Sequence, residues 1–120
     1  MEFAYDDQNI FAKILRGEIP NKTVYENEHA LAFEDIAPQA PVHVLVIPKG
    51  PYMSLDHFAQ DASSEEHAGF MQAIAEVCRI TGLADGFRGI SNTREHGVQE
   101  VPHYHMHILG GRPLGRMLAG

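Results

Sequence analysis

Apolar positions along the chain follow two rhythms, one helical and one strand-like. Ile10, Phe11, Ile14 and Leu15 recur at the spacing that places side chains on one helix face. Asp6 or Asp7 can cap that face, Gly17 can stop it and Pro20 follows, which predicts a first helix over Gln8 to Arg16. Lys22 to Glu26 and His29 to Glu34 read as a strand pair turning at Asn27-Glu28. Two prolines make Asp35 to Pro41 a loop, because proline offers a ladder no donor. Val42 to Ile47 is β-branched and nearly all apolar, as a central strand covered on both faces should be. Ser63 and Glu66 form a capping-box pair ahead of Phe70, Met71, Ile74, Val77 and Cys78 at helical spacing, with Gly82 past the end. Gly86 to Thr93 and Val101 to Leu109 complete the pattern as two last strands. This order predicts an α+β fold, a mostly antiparallel sheet of about five strands with two helices. No repeat or linker divides residues 1–120, so they read as one domain with 113–120 as a C-terminal tail.

Composition narrows the class without naming it. Apolar residues are 44% of the chain and charged ones 21%, an ordinary globular balance. The net charge is −7, from 9 Lys and Arg against 16 Asp and Glu. That argues against nucleic acid as a partner, since phosphate backbones are held by clustered cations. One cysteine, Cys78, excludes an internal disulfide and a cysteine-pair zinc site, and reads as a small packed hydrophobe. No apolar run is long enough to span a bilayer, so no membrane partner is expected. The acidic start, Glu2 to Asp7, does not resemble a signal peptide, and a cytoplasmic location is expected.

Chemistry concentrates in the histidines, of which there are 8. His103, His105 and His107 alternate, so in a strand they would share one face while Tyr104, Met106 and Ile108 pointed into a core. Three readings compete: a solvated strand face, a metal site built on His-x-His, and metal-free nucleophilic catalysis by a neutral imidazole. His29, His57, His67 and His96 lie in turns or on polar faces and read as surface residues. Arg94 and His96 precede the triad in a loop and are weaker candidates for substrate contact.

His103-Tyr104-His105-Met106-His107-Ile108-Leu109 resembles the signature of the histidine-triad (HIT) superfamily. Ile10 to Pro20 and Phe33 to Lys49 are similar to its Hint branch of purine nucleoside phosphoramidases, so the likeness runs from about Asn9 to Arg112. The resemblance implies a purine nucleotide substrate of AMP or GMP type, no cofactor, no metal, and a homodimer whose sheets join into one. It implies that His105 attacks the α-phosphorus and forms a nucleotidyl-histidine that water then releases. His103 and His107 would flank it, one fixing its tautomer and the other bonding phosphoryl oxygen or leaving group. His43 would complete the cluster.

Asp35 matches the carboxylate that accepts both ribose hydroxyls. Ile10, Phe11, Phe33 and Ile36 match the apolar clamp on the purine, though each could equally be core. Asn92, Gln99 and the backbone around Gly97 would lie beside the phosphate, where N–H groups bind oxyanions without a metal. Glu100 departs from a serine common in the branch, which leaves leaving-group preference open. Asn9 and Ala12 stand where some relatives carry zinc-binding cysteines, so no zinc is expected. Rival readings are a dinucleoside polyphosphate hydrolase and a nucleotide-binding regulatory protein.

Overall fold

A computed structural model describes residues 1–118; the last two residues of the expected tail, 119–120, lie outside the described residues. The elements run α1 (Ile10–Leu15), β1 (Thr23–Glu26), β2 (Ala30–Glu34), β3 (Val42–Pro48), α2 (Leu55–Asp61), α3 (Ser64–Ile80), β4 (Phe87–Ile90), α4 (Arg94–Gly97) and β5 (Met106–Gly110). The five strands form one sheet in the order β1-β2-β3-β5-β4, every pair antiparallel. The α+β expectation and the five strands are therefore observed, but four helical segments stand among the described residues where two were expected.

Strand alternation gives the sheet two different faces. Ala30, Ala32, Val44, Val46 and Ile108 point to one side, where Phe58, Phe70, Ala73 and Val77 cover them with α2 and α3. Leu31, Phe33, Leu45 and Ile47 point to the other, under Phe11 and Ile14 of α1. α1 is only six residues long and covers part of that second face. His43 and His107 occupy the same face, alternating with Leu45 and Leu109.

Helix ends follow their caps. α3 begins at Ser63 with the predicted capping box, Glu66 N–H to Ser63 Oγ at 3.1 Å and Ser63 N–H to Glu66 at 3.0 Å. It ends in a Schellman turn: Gly82 (φ 71°) is left-handed, and Leu83 N–H reaches Cys78 O at 3.0 Å. α1 closes the same way, with Gly17 at φ 79° and Glu18 N–H on Lys13 O at 2.9 Å. Its N-cap, however, is Asn9 rather than an aspartate: the Asn9 side chain accepts from Ala12 N–H, so the helix starts two residues late and Ile10 is exposed.

The last strand is the main correction. β5 begins only at Met106, so His103 and His105 precede the ladder and His107 alone lies in it. Continuing the β3 register would set Tyr104 opposite Pro48, which has no N–H to offer and whose carbonyl is taken by the His103 ring at 2.8 Å. Tyr104 N–H turns instead to Tyr52 O at 2.8 Å, and His103 N–H to Val101 O at 2.9 Å. Tyr104 and Ile108 are still buried in the α3-side core, with Met106 packed against it.

Candidate active site

The open part of the second face gathers three histidines and one carboxylate. His43 and His107 are diagonal neighbours across β3 and β5, and their rings bridge the gap with His43 Nε2 and His107 Nδ1 2.9 Å apart. Asp35 follows the end of β2; its Oδ2 lies 3.4 Å from His43 Nε2 and its Oδ1 accepts from Ala37 N–H at 2.8 Å. The His105 and His107 ring centroids are 5.1 Å apart, and Phe11 sets its edge against His105 at 4.9 Å.

Hydrogen-bond partners determine where each proton sits. Gln39 N–H donates to His43 Nδ1 at 3.1 Å, so the His43 proton is on Nε2, facing His107 Nδ1 and Asp35. His107 must then carry its proton on Nε2. His105 Nδ1 lies 2.7 Å from the His103 carbonyl, which only accepts, so His105 is protonated on Nδ1 and its Nε2 keeps a lone pair. His103 Nε2 donates to Pro48 O at 2.8 Å, and its Nδ1 meets the Tyr5 hydroxyl at 2.6 Å. Neither His105 Nε2 nor His107 Nε2–H is consumed by the described residues.

Burial keeps these rings neutral. It lowers the pKa of His103 and His107 to about 4, with positive charge on His105 pushing the same way. Burial also lowers His105 and His43, against a smaller opposing pull from Asp35. Neutral imidazole is the form with a nucleophilic lone pair.

The expected site residues therefore separate into three settings. His43, His105, His107 and Asp35 come together; His103 sits behind them with no exposed surface. Phe11 and Phe33 are buried and in contact, whereas Ile36 is 99% exposed and Ile10 44%. Asn92 is half-buried, against Gly97, where an added Cβ would approach its backbone at 3.4 Å. In the loop before β5, the N–H groups of Gly97, Val98 and Gln99 bond to Thr93, Glu95 and Arg94 carbonyls and are not free for an anion. The Gln99 amide braces that loop, donating to Met53 O at 2.6 Å and Val101 O at 2.9 Å. Val98 holds a left-handed φ of 56°, a strained setting for a β-branched residue. Glu100 is exposed and Arg94 pairs with Asp56 at 2.5 Å, holding that carboxyl at about 2.

Three further points were not legible. His57 is buried rather than superficial: it accepts Met53 N–H at 3.0 Å and stacks on Phe3 at 4.4 Å. His29 and His67 are half-buried, while His96 is exposed as expected. Tyr5 touches the triad from a segment with no motif to mark it. Asp35, His43 and His107 place one donor atom each within 4.8 Å, so they could hold a metal ion, but only by opening the direct bond between the two imidazoles.

A sheet carrying this arrangement defines the HIT domain, whose family model matches residues 16–114, and the chain belongs to that family. It is 55% identical over 119 residues to a 13.2 kDa HIT-like protein of Azospirillum brasilense, covering 98% of each chain. It is 47% identical over 117 residues to the purine nucleoside phosphoramidase of Escherichia coli K12, covering 94% of this chain and 95% of that one. A solved histidine triad protein from Clostridium difficile superposes with a TM-score of 0.79 at 39% identity, over 98% of this chain and all of that one.

Proposed function

We propose that the protein hydrolyses purine nucleoside phosphoramidates or acyl-nucleotidates through a nucleotidyl-histidine on His105, releasing a nucleoside monophosphate. The observation that carries this reading is a leftover pair of atoms. Every other imidazole nitrogen of the cluster is engaged, which leaves the His105 Nε2 lone pair and the His107 Nε2–H without partners among the described residues, on rings whose centroids are 5.1 Å apart. A lone pair with a donor on the neighbouring ring suits in-line attack at phosphorus, the donor bonding a non-bridging phosphoryl oxygen as charge builds there. The Nε2–P bond forms as the P–N bond, or the P–O bond of an acyl-nucleotidate, breaks on the opposite side, and the departing group takes a proton from water. The remaining hydroxide attacks the same phosphorus in a second step, restoring His105.

Asp35 is the acceptor for the vicinal ribose hydroxyls, and Ile10 and Ile36, which are exposed, are the apolar contacts for the purine together with the buried Phe11 and Phe33. The phosphoramidase kinship supports the substrate class. Asn92, half-buried beside Gly97, is the side-chain donor for the phosphate. β4 ends the sheet with Phe87 half-exposed, and a second copy would extend the sheet there into a homodimer.

The test is a turnover panel of adenosine and guanosine phosphoramidates, acyl-adenylates and diadenosine polyphosphates, with and without chelator, for wild type and His105→Ala. Rapid quench with labelled substrate should trap an adduct on the wild type only, and His105→Ala should lose roughly 10⁴-fold or more of turnover. Near-normal turnover by that variant refutes the covalent route, loss of wild-type activity on chelation refutes the metal-free one, and preference for diadenosine polyphosphates refutes the substrate class.

A further inference from the structure

Tyr5 lies far from the triad in sequence, yet its hydroxyl sits 2.6 Å from His103 Nδ1. The direction of that bond is set by its neighbours. His103 Nε2 faces the Pro48 carbonyl at 2.8 Å and must carry the ring proton, so Nδ1 is an acceptor and the Tyr5 O–H donates. Asn9 Nδ2 donates to the same hydroxyl at 3.1 Å, occupying a lone pair and leaving the hydroxyl hydrogen for His103. The result is a one-way chain from Asn9 through Tyr5 and His103 to Pro48, closed at both ends.

The ring at the middle of that chain belongs to the residue whose carbonyl receives the His105 Nδ1–H at 2.7 Å. His103 is fully buried, so it has no surface to offer a substrate. What it presents to the site is its backbone carbonyl. Anchored at both ring nitrogens, His103 holds its own Cα in place; freed of the Tyr5 anchor, the residue can shift as a whole and carry its carbonyl off the His105 Nδ1–H, and His105 could take its proton on Nε2 instead. In that tautomer the attacking lone pair is gone.

We infer that Tyr5 is a positioning residue, which holds His105 in its reactive tautomer by locking the His103 ring and carbonyl. This rests on the reading of His105 as nucleophile. The segment carrying Tyr5 is itself tied down: Phe3 stacks on His57 with ring centroids 4.4 Å apart, Gln60 donates to Met1 O at 2.9 Å and Asn9 to Asp6 O at 2.9 Å. Residues 1–5 thus act as a strap that passes over α2 and presses one hydroxyl onto the back of the triad.

The experiment uses the full chain with Tyr5→Phe and Phe3→Ala. Three quantities are read: the single-turnover rate of adduct formation from an adenosine phosphoramidate, AMP affinity by titration, and the ¹⁵N shifts of the His103 and His105 rings. Tyr5→Phe is expected to slow adduct formation about tenfold, the size of one neutral hydrogen bond. AMP affinity should stay within twofold, and His105 should shift from pure Nδ1–H towards a tautomer mixture. Phe3→Ala, which leaves the hydroxyl in place but loosens the strap, should show the same mixture in smaller proportion, and it carries the test if Tyr5→Phe does not fold. Unchanged ¹⁵N shifts overturn the inference, as does a rate loss accompanied by an equal loss of AMP affinity. Absence of wild-type turnover would sink the functional reading while leaving the tautomer measurement to judge Tyr5.

Discussion

Two histidines in this fold are wired almost identically and do different things. His43 and His57 are both buried, both accept a backbone N–H at Nδ1, from Gln39 at 3.1 Å and Met53 at 3.0 Å, and both set Nε2 3.4 Å from a carboxylate. What differs is the far side of the ring. His43 meets a second imidazole, His107, whose remaining N–H has no partner among the described residues. His57 meets the rings of Phe3 and Tyr52, and its wiring stops there. A histidine–carboxylate pair is therefore a local solution to burying an imidazole, and on the proposed mechanism it serves chemistry only where a second ring extends it.

Removing one ring from each region should separate them most sharply. His107→Ala is expected to lower turnover by about 10²–10⁴-fold, the range for a lost proton-bonding partner in the transition state, with the fold retained. His57→Ala should instead cost about 1–3 kcal/mol of stability by orphaning Met53 N–H, with less than tenfold loss of activity in the folded protein. Urea unfolding and kcat on the same samples decide it; the reverse pattern would move the functional centre to α2.

The acid limb of stability gives the next contrast. His103 and His107 are held at about 4 in the fold against about 6.5 unfolded, so the unfolded chain binds more protons between those values. Their contribution is present above pH 6.5 and is lost as pH falls towards 4, at roughly 1.4 kcal/mol per pH unit for each ring kept neutral. Urea midpoints across that window should fall with pH, and His107→Gln should flatten the slope. An unchanged slope would mean that His107 is not kept neutral by the fold.

The smallest effect tests the carboxylate. Asp35→Asn should weaken ribonucleotide binding by about 1.5–3 kcal/mol, the worth of hydrogen bonds to a charged acceptor, and 2′-deoxynucleotide binding by less. Equal losses would show that Asp35 acts through His43 alone.

How much of this was legible depended on whether the cause lay nearby in sequence. The capping box at Ser63 and the apolar run of β3 are local, and both elements formed as read. α2 was missed because Ser54 caps seven residues with little apolar periodicity, of which only His57 and Phe58 are buried. The histidine alternation suggested a strand over Val101 to Leu109, but the ladder stops at Met106, two residues short of the position facing Pro48, whose missing N–H and occupied carbonyl come from more than fifty residues away. His57 looked superficial because its cover, Phe3, comes from the other end of the chain, and the same distance hid Tyr5. The sequence brought the triad, His43 and Asp35 forward as one group, and the structure sets His43, His105, His107 and Asp35 together, while their proton arrangement needed Gln39, Pro48 and the His103 carbonyl in place.

The bond between His43 and His107 joins residues 64 positions apart. Pairings of that range close late, because the intervening chain must first lose its freedom, whereas a capped helix such as α3 is built from neighbours. During refolding, helical circular dichroism should therefore recover ahead of the assembled pair. Catalysis becomes the last property the chain acquires, and a half-assembled sheet is silent rather than partly active. Any enzyme assay of this protein is thus also a count of molecules that have completed their topology.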